Sequence, residues 1–301
     1  MMQEDSDQIL DWMLRRRGFE SAGMNDQKQV ICPDGPHVMP WLEYIDLLGK
    51  KSTRKMLRAL TKAGPKGLLR EELAKVAGTA GKKIDERVDD LVRLGILKLG
   101  DDGYLALSKP VDNIGPTLEW YVAQVIGREM AGASGWGVKL KGITVGGDYD
   151  VLAWIDQLLY VETKARRPDA ITKQEMLLFL QRGEELSPEI QVLMIDTDDD
   201  LGTFVDRIFL EAMREPIGLP ANWSPVRENM FTAPGHPYDG IYTFGRRLYV
   251  TNTKAGVAEA LRRCVRHYNR VNRYLVIFAS REPMNWVKVT KSPDPNNVDD
   301  G

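Results

Sequence analysis

The feature that most constrains this chain is charge set inside strand-forming sequence. Tyr160, Glu162 and Lys164 alternate with Leu159, Val161 and Thr163, and Asp150 opens the apolar run Val151-Leu152-Ala153-Trp154. Side chains alternate across a strand, so Glu162 and Lys164 share one face and Val161 takes the other. Acids and lysines are disfavoured in mid-strand unless they are exposed or functional. Two carboxylates meeting across buried strands repel each other, and burying both without a cation costs several kcal/mol. A hard divalent ion, Mg2+ or Mn2+, suits carboxylate and carbonyl oxygens.

The two strands can share that chemistry in only some registers. A two-residue turn at Asp156-Gln157 sets Asp150 opposite Thr163, on the wrong face. A three-residue turn centred on Asp156 sets it opposite Glu162, and one centred on Gln157 sets it opposite Lys164. An odd-length turn or a bulge is therefore expected between the strands.

The flanking sequence reads as an α/β layer. Pro116 suits the first turn of a helix whose buried stripe is Leu118, Tyr121, Val122, Val125 and Ile126, with Glu119 just beside it. The glycine-rich stretch 131–137 reads as the loop that closes this helix. Strands are expected at 138–145, 147–155 and 158–165. Thr172 and Glu175 form a capping box that opens the next helix. A buried strand at 191–197 and a helix through Phe204, Ile208 and Met213 follow. The order of helix, three strands, helix, strand and helix predicts a mixed sheet with helices packed on it.

A helix with Glu, a strand with Asp, and a following strand with Glu-x-Lys resembles the P-D-(D/E)-x-K nuclease superfamily, over roughly residues 114–213. The resemblance implies a restriction-endonuclease-like fold and a Mg2+ (or Mn2+) ion held by Asp150 and Glu162, with the Thr163 carbonyl and Glu119 as further ligands. Lys164 would orient or help deprotonate the attacking water, and Gln174 or Gln181 would stand for the glutamine some members carry on the next helix. Tyr149 replaces the motif's proline, and Asp148 competes with Asp150 for the metal role. A bound metal lowers the pKa of water and offsets charge at phosphorus. Many members cut duplexes as dimers, so a homodimer is a further expectation.

Four segments are expected. Residues 1–49 form a helical and irregular N-terminal segment, with a helix over 6–17 and a loop through Pro40. Residues 50–110 carry three amphipathic helices and a hairpin around the turn 100–103, which resembles a winged-helix domain. Residues 111–215 are the nuclease-like core, and 216–301 a C-terminal α/β extension. In that extension, Asp239 and Tyr249-Val250 repeat the spacing of Asp150 and Tyr160-Val161, which suggests a degenerate copy of the core ending in a strand at 274–279.

The net charge of -2 excludes a polycation, but charge is uneven along the chain. From Lys50 to Lys98 there are 14 Lys/Arg against 6 Asp/Glu. Lys82, Lys83, Arg87, Arg54 and Lys55 in the winged helix, with Arg262 and Arg266 near the C-terminus, are the expected DNA contacts. Asp85, Glu86, Asp89 and Asp90 on the third helix oppose that role by repelling phosphates. Two distant cysteines, three scattered histidines and no apolar run of about 18 residues argue against zinc knuckles, disulfide scaffolds and membrane spans. An intracellular, cytoplasmic setting is the expectation. Two functions fit: a Mg2+-dependent endonuclease acting on DNA, or a non-catalytic nucleic-acid-binding or regulatory protein with a nuclease-like fold.

Overall fold

The computed structural model describes residues 3–25, 27–33, 38–78, 81–217, 241–244 and 247–279. Its centre is a mixed seven-stranded sheet of β1 (Glu20–Gly23), β4 (Ala133–Lys141), β5 (Tyr149–Trp154), β6 (Leu158–Lys164), β7 (Ile190–Ile195), β9 (Leu248–Asn252) and β8 (Ile241–Phe244), in that spatial order. Strands β1, β4, β5 and β6 pair antiparallel in sequence, β6, β7 and β9 pair parallel, and β8 closes the far edge antiparallel to β9.

Period two divides the sheet residues between two cores. Val151, Ala153, Leu159, Val161, Val192 and Met194 face α6 (Gly115–Met130) and α10 (Val257–Ala279). Leu152, Leu158, Tyr160, Leu193 and Ile195 face α1 (Gln3–Arg16), α7 (Lys173–Leu186) and a helical run made of α8 (Gly202–Phe204), a π-helical turn (Val205–Phe209) and α9 (Leu210–Ile217). The parallel β6–β7 pair needs a crossover, and α7 supplies it. Thr172 caps α7: its hydroxyl accepts from the Glu175 amide at 3.3 Å, while the Glu175 carboxylate takes the Thr172 N–H at 3.0 Å.

The first core continues into a helical layer. Helices α2 (Val38–Gly49), α3 (Lys51–Ala63), α4 (Arg70–Ala77) and α5 (Lys82–Arg93) pack with the hairpin β2 (Leu97–Leu99) and β3 (Leu105–Leu107). Met56, Leu57, Leu60, Ile84, Val88 and Leu91 are buried there as their spacing predicts, whereas Val92 is exposed. Leu68 and Leu105 exchange backbone hydrogen bonds of 2.9 Å, adding a short bridge to the hairpin.

Several expectations are corrected. Pro40 lies in the first turn of α2 rather than in a loop, a place where its missing N–H is harmless. Strand β4 begins at Ala133, inside the stretch expected as a closing loop. Its glycines serve close packing: at Gly137 (φ 54°) a side chain would collide with Asn25. The N-terminal segment is no separate piece, since β1 forms one edge of the sheet and α1 buries Leu10 and Leu14. The C-terminal segment is likewise joined to the core, because β9 pairs with β7. Residues 274–279 continue α10 instead of forming a strand, as no glycine or proline interrupts the helix after Gly256. Among the described residues the segment therefore runs β-β-α, and the strand at 274–279 that a copy of the core requires is helix instead. The expectations for 218–240 and 280–301 lie outside the described residues.

Candidate functional site

The β5–β6 turn has three residues, Ile155-Asp156-Gln157, with Asp156 in the left-handed region at φ 70°. Val151 faces Val161 and Leu152 faces Tyr160, so the next pair outward is Asp150 with Glu162. This is the register that permits a shared site. Glu162 and Lys164 follow Leu158 and Tyr160 on the α7 face. Glu162 is nearly buried, and the Lys164 ammonium donates to its Oε1 at 2.7 Å. Glu175 lies 3.8 Å from the same ammonium.

Asp150 is held by the neighbouring strand. The Thr163 N–H donates to its Oδ2 at 2.7 Å, and the Thr163 hydroxyl stands 3.2 Å away. Burial first, and the Glu162 charge second, push the Asp150 carboxyl up to about 8, although Lys164 and both Thr163 groups pull it down. Glu119 lies on α6, which covers the other face of the sheet, close enough to feel the charges of Asp150, Asp148 and Glu162. Its carboxyl is pushed up to about 9 by burial, then by Asp150, Asp148 and Glu162. Asp148 lies in the loop before β5, where Asn25 donates to it at 3.0 Å.

Three side chains absent from the sequence expectations complete the site. The buried Tyr160 hydroxyl donates to Glu162 Oε2 at 2.6 Å. Arg182 on α7 brings Nη1 to 3.6 Å from the same oxygen. Glu175 was legible only as a cap. For Tyr160 the available signal was its position two residues before Glu162, which puts it on the same strand face. For Arg182 the sequence offers no comparable signal, since its place on α7 is set by the crossover.

As the side chains stand, no three carboxylate, imidazole or thiolate groups among the described residues converge to hold an ion. The donor chemistry nevertheless fits a hard cation: burial first, and the neighbouring acidic charges second, raise the Asp150 and Glu119 carboxyls, and a divalent ion would offset both. Gln174 and Gln181 are exposed on α7.

The expected DNA contacts divide. Arg54 is corrected outright: its side chain is 2 % exposed and pairs with Asp196, equally buried, at 2.7 Å. Arg58 and the Thr253 hydroxyl complete that buried knot at 2.9 and 2.7 Å. Burial alone would raise the Asp196 carboxyl, but Arg54, Thr253 and Arg58 hold it below the usual carboxylate range. Lys55 is half-buried, 4.0 Å from Asp198. Lys82 and Lys83 are exposed at the start of α5, and Lys82 stands 3.7 Å from Glu86. Arg87 is half-buried against the Ser52 hydroxyl. Arg262 pairs with Glu129 at 2.6 Å, while Arg266 is exposed.

No protein-family model matches the chain, and no curated protein or solved structure matches it. Among the described residues no helix is long and apolar enough to cross a membrane.

Proposed function

We propose that this chain is a Mg2+-dependent endonuclease of the P-D-(D/E)-x-K type, hydrolysing phosphodiester bonds in DNA. The observation that carries the reading is the register of Asp150 with Glu162, beside Lys164 at 2.7 Å from Glu162. Asp150, Glu162 and the Thr163 carbonyl would hold the ion, with Glu119 and Asp148 as added acidic groups. The ion would lower the pKa of a water and offset charge at phosphorus. Lys164, a compact cation, would steady the water and the developing charge. The α3–α5 helices and their hairpin read as a winged helix that helps place DNA, through Lys82 and Lys83, with Arg266 as a further phosphate contact.

A second reading has its own support. Both Glu162 oxygens are engaged, by Lys164 and by Tyr160, and Lys51 of the basic α3 face pairs with Asp198 at 2.6 Å. A non-catalytic nucleic-acid-binding or regulatory protein would keep such a site closed.

Incubation with plasmid, single-stranded and branched DNA in Mg2+, Mn2+ or EDTA separates the two. We expect metal-dependent cleavage, reduced at least about 100-fold in Asp150→Ala and Glu162→Ala. Wild type that cuts nothing in either metal defeats the enzyme reading, and cutting that survives both substitutions defeats the site.

A further inference from the structure

The most unusual side chain near the site is one the nuclease reading does not use. Arg182 leaves α7 and runs beneath the loop that joins β4 to β5, with a side chain only 14 % exposed. Nη2 donates to the Gly146 carbonyl at 3.1 Å, and Nη1 stands 3.6 Å from Glu162 Oε2. Its buried Nε has no hydrogen-bond partner. The chain above makes room for it. Gly147 has φ 105°, and any side chain there would collide with the guanidinium. One turn further along α7, Glu185 accepts the Thr144 and Val145 amides at 3.0 and 3.2 Å and bonds the Thr144 hydroxyl. The 142–148 loop, which ends in Asp148, is therefore fastened to α7 at two places. Only Arg182 also reaches across to the catalytic strand.

The geometry points to Arg182 as a positioning residue: one guanidinium fixes Glu162 and the Asp148-bearing loop in a single frame. The inference rests on the nuclease reading for its consequence, but the frame itself is a property of the chain. A planar fork can serve two acceptors at once, which a lysine ammonium on a flexible stem cannot reproduce. Residues that orient ligating carboxylates typically change metal affinity when lost, although they touch neither metal nor substrate.

The test uses the full chain and the variants Arg182→Gln and Arg182→Lys. In Arg182→Gln, amide exchange over 142–148 is expected to quicken about tenfold, as for the loss of a hydrogen bond to a charged group. Mn2+ affinity, read by electron paramagnetic resonance with the ion alone, is expected to weaken about 10–100-fold. Turnover on plasmid DNA is expected to fall while KM for DNA stays within about threefold. Arg182→Lys should remain impaired in all three. Unchanged exchange, or Mn2+ binding that is unchanged or tighter, overturns the inference. So does full rescue by lysine, which would mean that charge alone matters. If Arg182→Gln does not fold, Arg182→Lys carries the same readouts. A wild type that cuts no DNA sinks the nuclease reading, and exchange over 142–148 then decides the role of Arg182.

Discussion

At the scale of single residues, the arginine on α3 shows how charge misleads when it is read along a sequence. Arg54 belongs to a basic run, Lys51, Arg54, Lys55, Arg58 and Lys62, that suggests a phosphate-facing surface. It also sits three residues before Leu57, on the stripe that turns inward, and there it meets Asp196, 142 residues away. Removing Arg54 takes away the buried cation of the pair and leaves the Asp196 charge to the more exposed Arg58 and the Thr253 hydroxyl. Arg54→Ala is expected to destabilise the fold by about 3–5 kcal/mol in denaturant unfolding, and Arg54→Met with Asp196→Leu to recover most of that. A loss below about 1 kcal/mol in the single variant would show a pair that is solvated in solution. The register of Asp150 was different in kind. Sequence reduced it to an odd-length turn or a bulge, and three residues with a left-handed Asp156 realise the first.

At the scale of elements, α7 does two jobs at opposite ends. Its N-terminus is fixed by the Thr172–Glu175 box, visible in the sequence as a local pattern. Its later turns present Arg182 and Glu185 to a loop some 40 residues earlier in the chain, which no local pattern encodes. Thr172→Ala is expected to lower stability by about 0.5–2 kcal/mol, measured by thermal unfolding, because it removes the cap. A change within about 0.2 kcal/mol would mean that tertiary packing of Met176 and Phe179, not the cap, holds the helix start. The strands followed the same division. Alternating β6 and apolar β7 were legible, whereas β4 was half hidden, because glycines that admit Asn25 and Leu10 look like loop residues.

At the scale of the whole molecule, the acidic cluster should make stability depend on pH and on divalent cations together. Asp150 and Glu119 have folded pKa values near 8 and 9, above their ordinary 3.8 and 4.5. Between those limits the folded protein holds more protons than the unfolded chain, so stability falls as pH rises through the window. Asp196 has the opposite sign: its depressed pKa adds stability that is lost only as pH falls through the acid range. Thermal melts in EDTA are therefore expected to drop from about pH 5 to about pH 9, and Mg2+ to restore the loss above about pH 8. Identical melts with EDTA and with Mg2+ above that pH would count against the cluster as a cation site.

By itself the sequence determined the α/β alternation, the strand faces of Glu162 and Lys164, the caps and the buried stripes. These depend on neighbours within a few residues, where backbone geometry repeats with a fixed period. Tertiary structure alone decided that β1, β8 and β9 join one sheet, that Arg54 turns inward to Asp196, and that Arg182 reaches Glu162. Each of these is a meeting between segments far apart in the chain. What selects the partner there is burial and charge balance in the folded interior, which no local period records.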